Sequence, residues 1–217
     1  MDDEQILKCD LFGEVVLRHG AQGPVIVRNA GPARWWLRWL ARYLLGREAK
    51  ALAALDGMEG VPQLLQHERD TLIRSYLAGK PLHEAETEDL LWFKAAARLL
   101  RRLHGAGVCH NDLAKEPNLL VLDDGSPAFI DFQLAWHTSR RGRLFRGAAR
   151  EDIRHLLKHK RSYCPDGLTQ RERTILANPS PMSRVWAHTA KPVYLFITRR
   201  ILGWADREGA ADRGSTR

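Results

Sequence analysis

Three oxygen-bearing side chains set the chemistry for which this chain is equipped. Asp112 and Asn118 lie within His110-Asn111-Asp112-Leu113-Ala114-Lys115-Glu116-Pro117-Asn118, and Asp131 heads Asp131-Phe132-Gln133. A loop carboxylate, a loop amide and a carboxylate just after a strand suit a Mg2+-nucleotide complex, because Mg2+ takes oxygen ligands from few protein groups and leaves the rest to phosphate and water. The remaining acid can orient a hydroxyl nucleophile. Lys115, in mid-loop, can bring a point charge to a transferred phosphate.

The flanking residues predict how these groups are held. Leu119-Leu120-Val121-Leu122 and Ala128-Phe129-Ile130 read as strands around the turn Asp123-Asp124-Gly125-Ser126-Pro127, so Asn118 enters a hairpin and Asp131 leaves it. Upstream, Leu90, Leu91, Phe93, Ala97, Leu100 and Leu103 recur at spacings of three and four and predict a helix over 86–104, stopped by Gly105 and Gly107. Residues 14–18 and 24–28 predict a hairpin, and residues 33–55 one long helix or two abutting ones, ended by Gly57 and Gly60-Val61-Pro62. Residues 70–77 read as a strand closed by Ala78-Gly79-Lys80-Pro81. Helical pattern returns over 148–160, 170–176 and 194–202, and 206–217 is expected to fray.

The catalytic-loop pattern, His-X-Asp, then Asn, then a hairpin ending in Asp-Phe, resembles the protein-kinase-like superfamily. Small size, the Leu-Ala after Asp112 and the short segment after Asp131 look most like the bacterial RIO-like and lipopolysaccharide-core kinases, with aminoglycoside and choline kinases more distant by motif. The resemblance covers about residues 15–160. It implies an α+β, two-lobed kinase-like fold: a reduced N-terminal lobe over 1–77, a short helical catalytic lobe over 78–205 and a tail over 206–217. It further implies ATP and Mg2+ as cofactors, with Asp112 accepting the substrate hydroxyl proton, Asn118 and Asp131 holding Mg2+, and His110 buttressing the loop. Arg28, Glu48 and the connector Ser75-Tyr76-Leu77 would then face the nucleotide, and Asp152 would anchor the catalytic loop.

Four departures from the family pattern bear on that expectation. Arg28 stands where a strand lysine is usual, keeping the charge but changing its reach and its hydrogen-bonding fork, with Glu48 as its partner. No G-x-G-x-x-G loop precedes it. Five residues, not four, separate Asp112 from Asn118. Gln133 replaces a glycine, which removes a hinge next to Asp131. A nucleotide-binding scaffold without turnover is the alternative that these departures motivate.

Composition frames the partners. The chain has 217 residues, 44% hydrophobic and 28% charged, which is a folded globular composition. Its net charge of +8 attracts polyanions. Arg140, Arg141, Arg143, Arg146 and Arg150 crowd the segment after Asp131 and are expected to receive an anionic substrate, a phosphorylated sugar or lipid headgroup; the hydroxyl acceptor is expected to be a sugar of an envelope glycolipid or a protein Ser/Thr. Arg34, Arg38 and Arg42 fall four apart beside Trp35, Trp36, Trp39 and Tyr43, as in a helix lying on an anionic membrane or one packing its aromatics on the small lobe. The aromatics do not interleave with the downstream arginine run, so nucleic acid is not expected as a partner. His155 and His159, four apart without a third ligand, read as core or solvated histidines. An acidic N-terminus, no apolar run of bilayer length and three scattered cysteines point to the cytoplasm, at most at the inner face of a membrane.

Overall fold

The computed structural model describes residues 3–20, 23–85 and 87–178. The expected helix over 194–202, the apolar stretch 193–204, the tail 206–217 and the expected helix start at Glu86 lie outside the described residues.

The chain runs β1 (Asp3–Asp10), β2 (Gly13–Gly20), β3 (Gly23–Asn29), α1 (Arg38–Ala54), β4 (Leu64–His67) and β5 (Thr71–Ser75). It continues with β6 (Gly79–Pro81), α2 (Leu82–Ala85), α3 (Leu90–Gly105), β7 (Val108–Cys109), β8 (Leu119–Leu122), β9 (Pro127–Phe129) and β10 (Trp136–His137), and then α4 (Arg143–Tyr163) and α5 (Gln170–Ala177). The first five strands form one antiparallel sheet in the order β1-β2-β3-β5-β4. The expected hairpin of β2 and β3 is its centre, and Val25-Ile26-Val27 supplies the β-branched run that favours a pleated, half-buried strand.

Two small sheets then position the catalytic loop. β6 pairs with β8, which pairs with β9, while β7 pairs with β10. Gly79-Lys80-Pro81, read from sequence as a turn, is thus a short strand laid on Leu120–Leu122. Three residues are too few to show an alternation.

One apolar core joins the second half of α1 to the helical part of the molecule. Leu52, Leu55 and Val61 pack with Phe93, Leu100, Leu103, Phe129 and Phe132. The first half of α1 covers the sheet through Ala41, Leu45 and Ala49 against Leu72. Gly60 sits where these parts meet: its carbonyl accepts from the Phe129 N–H at 2.9 Å. Its φ is +80°, and a Cβ there would stand 2.8 Å from the Pro127 carbonyl oxygen, so only glycine fits.

Helix bounds depart from the periodicity in informative ways. α3 starts at Leu90 because the Asp89 side chain accepts from the Leu91 N–H at 2.7 Å, a typical N-cap. Leu90 and Leu91, the start of the expected stripe, are 38% and 67% exposed, and Trp92 joins the expected Phe93 in the core. α4 begins five residues before the expected start at 148, because Phe145 extends its buried stripe to Ala148 and Asp152.

Candidate active site

The catalytic loop is fixed from beneath by α4. Asp152 is buried and accepts from the backbone N–H groups of His110 and Asn111, both at 2.8 Å, and its Oδ2 lies 3.2 Å from His104 Nε2. This is the anchoring that the resemblance implied. His110 is fully buried and braces the loop from within. Its Nε2–H donates to the Ile130 carbonyl at 3.0 Å, while its Nδ1 accepts from the Asp112 N–H at 3.3 Å. These two partners assign the tautomer. The ring packs on Phe132 at 4.6 Å between centroids. His159, buried on α4, adds a tie from its Nε2 to the Leu113 carbonyl at 2.8 Å.

So held, Asp112 meets two of the other expected site residues. Asn118 Nδ2 donates to the Asp112 carboxylate at 3.0 Å and to its backbone carbonyl at 2.9 Å. Lys115 Nζ lies 3.3 Å from Asp112 Oδ2. The five-residue spacing is absorbed by a single 3-10 turn over Glu116–Asn118, with Pro117 inside it. Burial raises the Asp112 carboxyl above the ordinary carboxylate range against the pull of Lys115, and the negative charge of Asp131 adds to the rise.

Asp131 follows β9 in a left-handed conformation, φ 65°, rare for a residue with a side chain and characteristic of strained functional positions. The Ile130 N–H donates to the Asn118 carbonyl at 3.0 Å, so the two expected metal ligands sit at adjacent strand ends. Burial works to raise the Asp131 carboxyl, but Arg28, Arg74 and Lys115 overcome it and hold it below the ordinary range. With its amide N–H groups given to Asp112, Asn118 retains a carbonyl oxygen. That oxygen and the ionised Asp131 are the hard donor types that Mg2+ takes, so the donor set fits the ion.

Arg28 reaches the site from β3. One of its nitrogens lies 2.7 Å from Glu48 and 3.1 Å from Asp131, and the other donates to Gln133 Oε1 at 2.7 Å. The fork therefore serves three partners at once from two nitrogens, a spread that the single nitrogen of a lysine lacks. Glu48, from α1, is completely buried and faces Arg74 of β5 at 3.2 Å on its other oxygen. Two arginines and two carboxylates thus balance. Arg28 stays above the ordinary guanidinium value despite burial, because Glu48 and Asp131 flank it. Arg74 falls below, through burial and the nearness of Arg28.

Arg47, next to Glu48, donates to the carbonyls of Leu134 and Ala135 at 2.8–3.1 Å and so clamps the segment after Asp131 to α1. Neither Arg47 nor Arg74 was singled out by spacing. Arg74 had a signal: it alternates with Leu72 on the buried face of β5, where an apolar residue is expected.

The connector is placed between the two parts but is not uniform. Ser75 is still paired to Val25, and its hydroxyl accepts from the Gln63 N–H at 2.8 Å. Tyr76 is exposed and Leu77 half-buried in the link to β6. The arginine run does not gather on Asp112. Arg141 donates to the Gly105 carbonyl and Arg150 to that of Asn178, at the ends of α3 and α5. Arg42, expected on an open basic stripe, is held by Asp70 through two hydrogen bonds of 2.6 and 3.1 Å. His104, Cys109 and Asp152 bring potential metal-ligand atoms within 4.8 Å of one another. Both Asp152 oxygens are already taken by the loop, and burial raises the Cys109 thiol, so the trio serves as a loop anchor.

Comparison with known proteins agrees with this architecture. A Rio2 kinase from Chaetomium thermophilum superposes with a TM-score of 0.59 at 14% identity, covering 83% of this chain and 60% of that one. A probable SapB synthase from Streptomyces coelicolor is 32% identical over 123 residues, 46% of this chain but only 13% of that protein. The sequence model of the APH phosphotransferase enzyme family matches residues 26–140, from the strand that bears Arg28 past the segment that Asp131 opens. With a kinase-like fold and a match over more than half its length, the chain belongs to the phosphotransferase enzyme family.

Proposed function

We propose that this phosphotransferase moves the γ-phosphoryl group of Mg-ATP to a hydroxyl acceptor, either a protein Ser/Thr or a sugar of an envelope glycolipid. The observation that carries the reading is the Asp112 carboxylate. It is buried, raised above the ordinary range, and held by Asn118 and Lys115 beside Asp131. A carboxylate so raised is a better proton acceptor for an attacking hydroxyl, and its fixed position spares the reaction an orientation cost.

Each residue then has a task. Asp112 orients the hydroxyl and takes its proton. Asn118 Oδ1 and the Asp131 carboxylate are the groups that would hold Mg2+, and when bound the ion supplies positive charge to the phosphate oxygens. Lys115 and Arg28 add fixed charge on either side. The Tyr76-Leu77 link, between the two sheets, is where a nucleotide base would lie.

Arg28 and Gln133 already engage Asp131, which favours a second reading, a nucleotide-binding scaffold without turnover. A thermal-shift titration with ATP and Mg2+, together with radiolabelled γ-phosphoryl transfer to sugar, glycolipid and protein pools, separates the two. Turnover that falls by about 10²–10⁴ in Asp112→Asn, with ATP binding kept, is the expected result. Binding without transfer to any pool favours the scaffold. Transfer undiminished in Asp112→Asn refutes the assigned base.

A further inference from the structure

The first turns of α1 present an aromatic ridge to solvent. Trp35 is 83% exposed, Trp36 43%, Trp39 66% and Tyr43 57%. The Leu37 and Arg38 N–H groups donate to the Arg34 carbonyl, so the chain is already wound in a helical sense before α1 begins. Trp35, Trp39 and Tyr43, four residues apart, therefore line one side of it. Three indoles and a phenol left together in water form an unusual surface for a folded chain, and such patches mark interaction sites.

The charge around the ridge is predominantly positive. Between Glu14 and Glu48 the sequence has no acidic residue but six arginines: Arg18, Arg28, Arg34, Arg38, Arg42 and Arg47. At the ridge itself, Arg38, Arg42 and Arg69 lie within electrostatic reach of Asp70, the acid that pairs with Arg42, and Arg34 is exposed. Four arginines against Asp70 and the exposed Glu68 beside Arg69 still leave a net positive rim around an aromatic crest. Indoles seek the boundary between headgroups and acyl chains, where the ring is buried and its N–H stays wet, and arginines beside them meet anionic headgroups. We propose that this ridge docks the protein on the surface of an anionic lipid bilayer.

The test uses the full chain and sedimentation with vesicles of phosphatidylcholine, with or without phosphatidylglycerol, at low and high salt. The wild type is expected to bind the anionic vesicles, more weakly as salt rises. Trp35→Ala/Trp39→Ala is expected to bind about tenfold more weakly or worse, as two indoles no longer leave water. Arg34→Gln is expected to lose roughly fivefold, from about 1 kcal/mol per basic side chain near such a surface. Thermal melting unchanged in the variants establishes that the fold is intact. The proposal is overturned if the wild type ignores anionic vesicles or if the double tryptophan variant binds them equally well. It is also overturned if the variant turns a dimer into a monomer, which assigns the ridge to a second copy, or if the ridge binds single-stranded oligonucleotide in place of lipid. None of these readouts depends on phosphoryl transfer.

Discussion

Replacing Glu48 with Gln removes one carboxylate from a set of four charges, Glu48 and Arg74 buried and Arg28 and Asp131 partly so, that sum to zero. Glu48 is fully buried, with Arg28 at 2.7 Å on one oxygen and Arg74 at 3.2 Å on the other. Arg28 keeps Asp131 as a partner, but Arg74 loses the carboxylate it faces. Breaking a buried ion pair from one side costs about 3–5 kcal/mol, because the remaining charge stays out of water without compensation. Against a typical stability of about 5–15 kcal/mol, that is a large share. Urea unfolding followed by far-ultraviolet circular dichroism should show a midpoint lower by about 1 M or more, given slopes of about 1–3 kcal/mol per M. Removing Arg74 as well, as Glu48→Gln/Arg74→Met, restores the balance and leaves Arg28 with Asp131. The double variant is then expected to be more stable than the sum of the single losses by about 2 kcal/mol. A Glu48→Gln loss below about 1 kcal/mol, or strictly additive losses, refutes the view that these four groups act as one charge-balanced cluster.

Two further outcomes follow from α4. Asp152→Ala leaves the buried N–H of His110 and the part-buried N–H of Asn111 without acceptors and is expected to cost about 2–5 kcal/mol in urea unfolding, with faster hydrogen exchange at both amides. Equal exchange would refute the anchoring role. His155, whose Nδ1 is buried without a hydrogen-bond partner, has its imidazole pushed down by burial to about 4. The unfolded chain therefore takes up this proton first, so stability holds above the ordinary histidine value and falls as pH drops from about 6.5 towards 4, by up to about 1.4 kcal/mol per pH unit. His155→Phe should flatten that part of the stability curve, and an unchanged slope would refute the attribution.

The catalytic loop was legible because Asp112, Asn118 and Asp131 are few, polar and fixed by a hairpin whose turn is written in Asp-Gly. The partners that hold them were less so. Arg28 meets Gln133 across 105 residues and Arg47 meets Ala135 across 88, and no local period reports contacts of that range. Gln133, where the family pattern has a glycine, lacks the freedom of a hinge and also accepts from the second arm of Arg28. A run of like charges does not report the partners that neutralise it. Arg42 belonged to an apparent open stripe and is tied to Asp70, and Arg141 and Arg150 are spent on carbonyls at helix ends. The short strands β4, β6, β7 and β10 were not legible because they lack the continuous apolar run and Asp-Gly turn that mark the equally short β8 and β9.

The geometry of α1 ties two distant parts of the protein into one lever. Trp39 stands in its first turn and Glu48 nine residues on, about 14 Å away at 1.5 Å per residue. Arg47, one turn past Tyr43, has its guanidinium 5.8 Å from that ring while gripping the backbone beyond Asp131. One straight element thus carries both the surface aromatics and, about 14 Å along, the side chains that hold Arg28 and the backbone beyond Asp131, so a substitution that shifts this rod displaces both together.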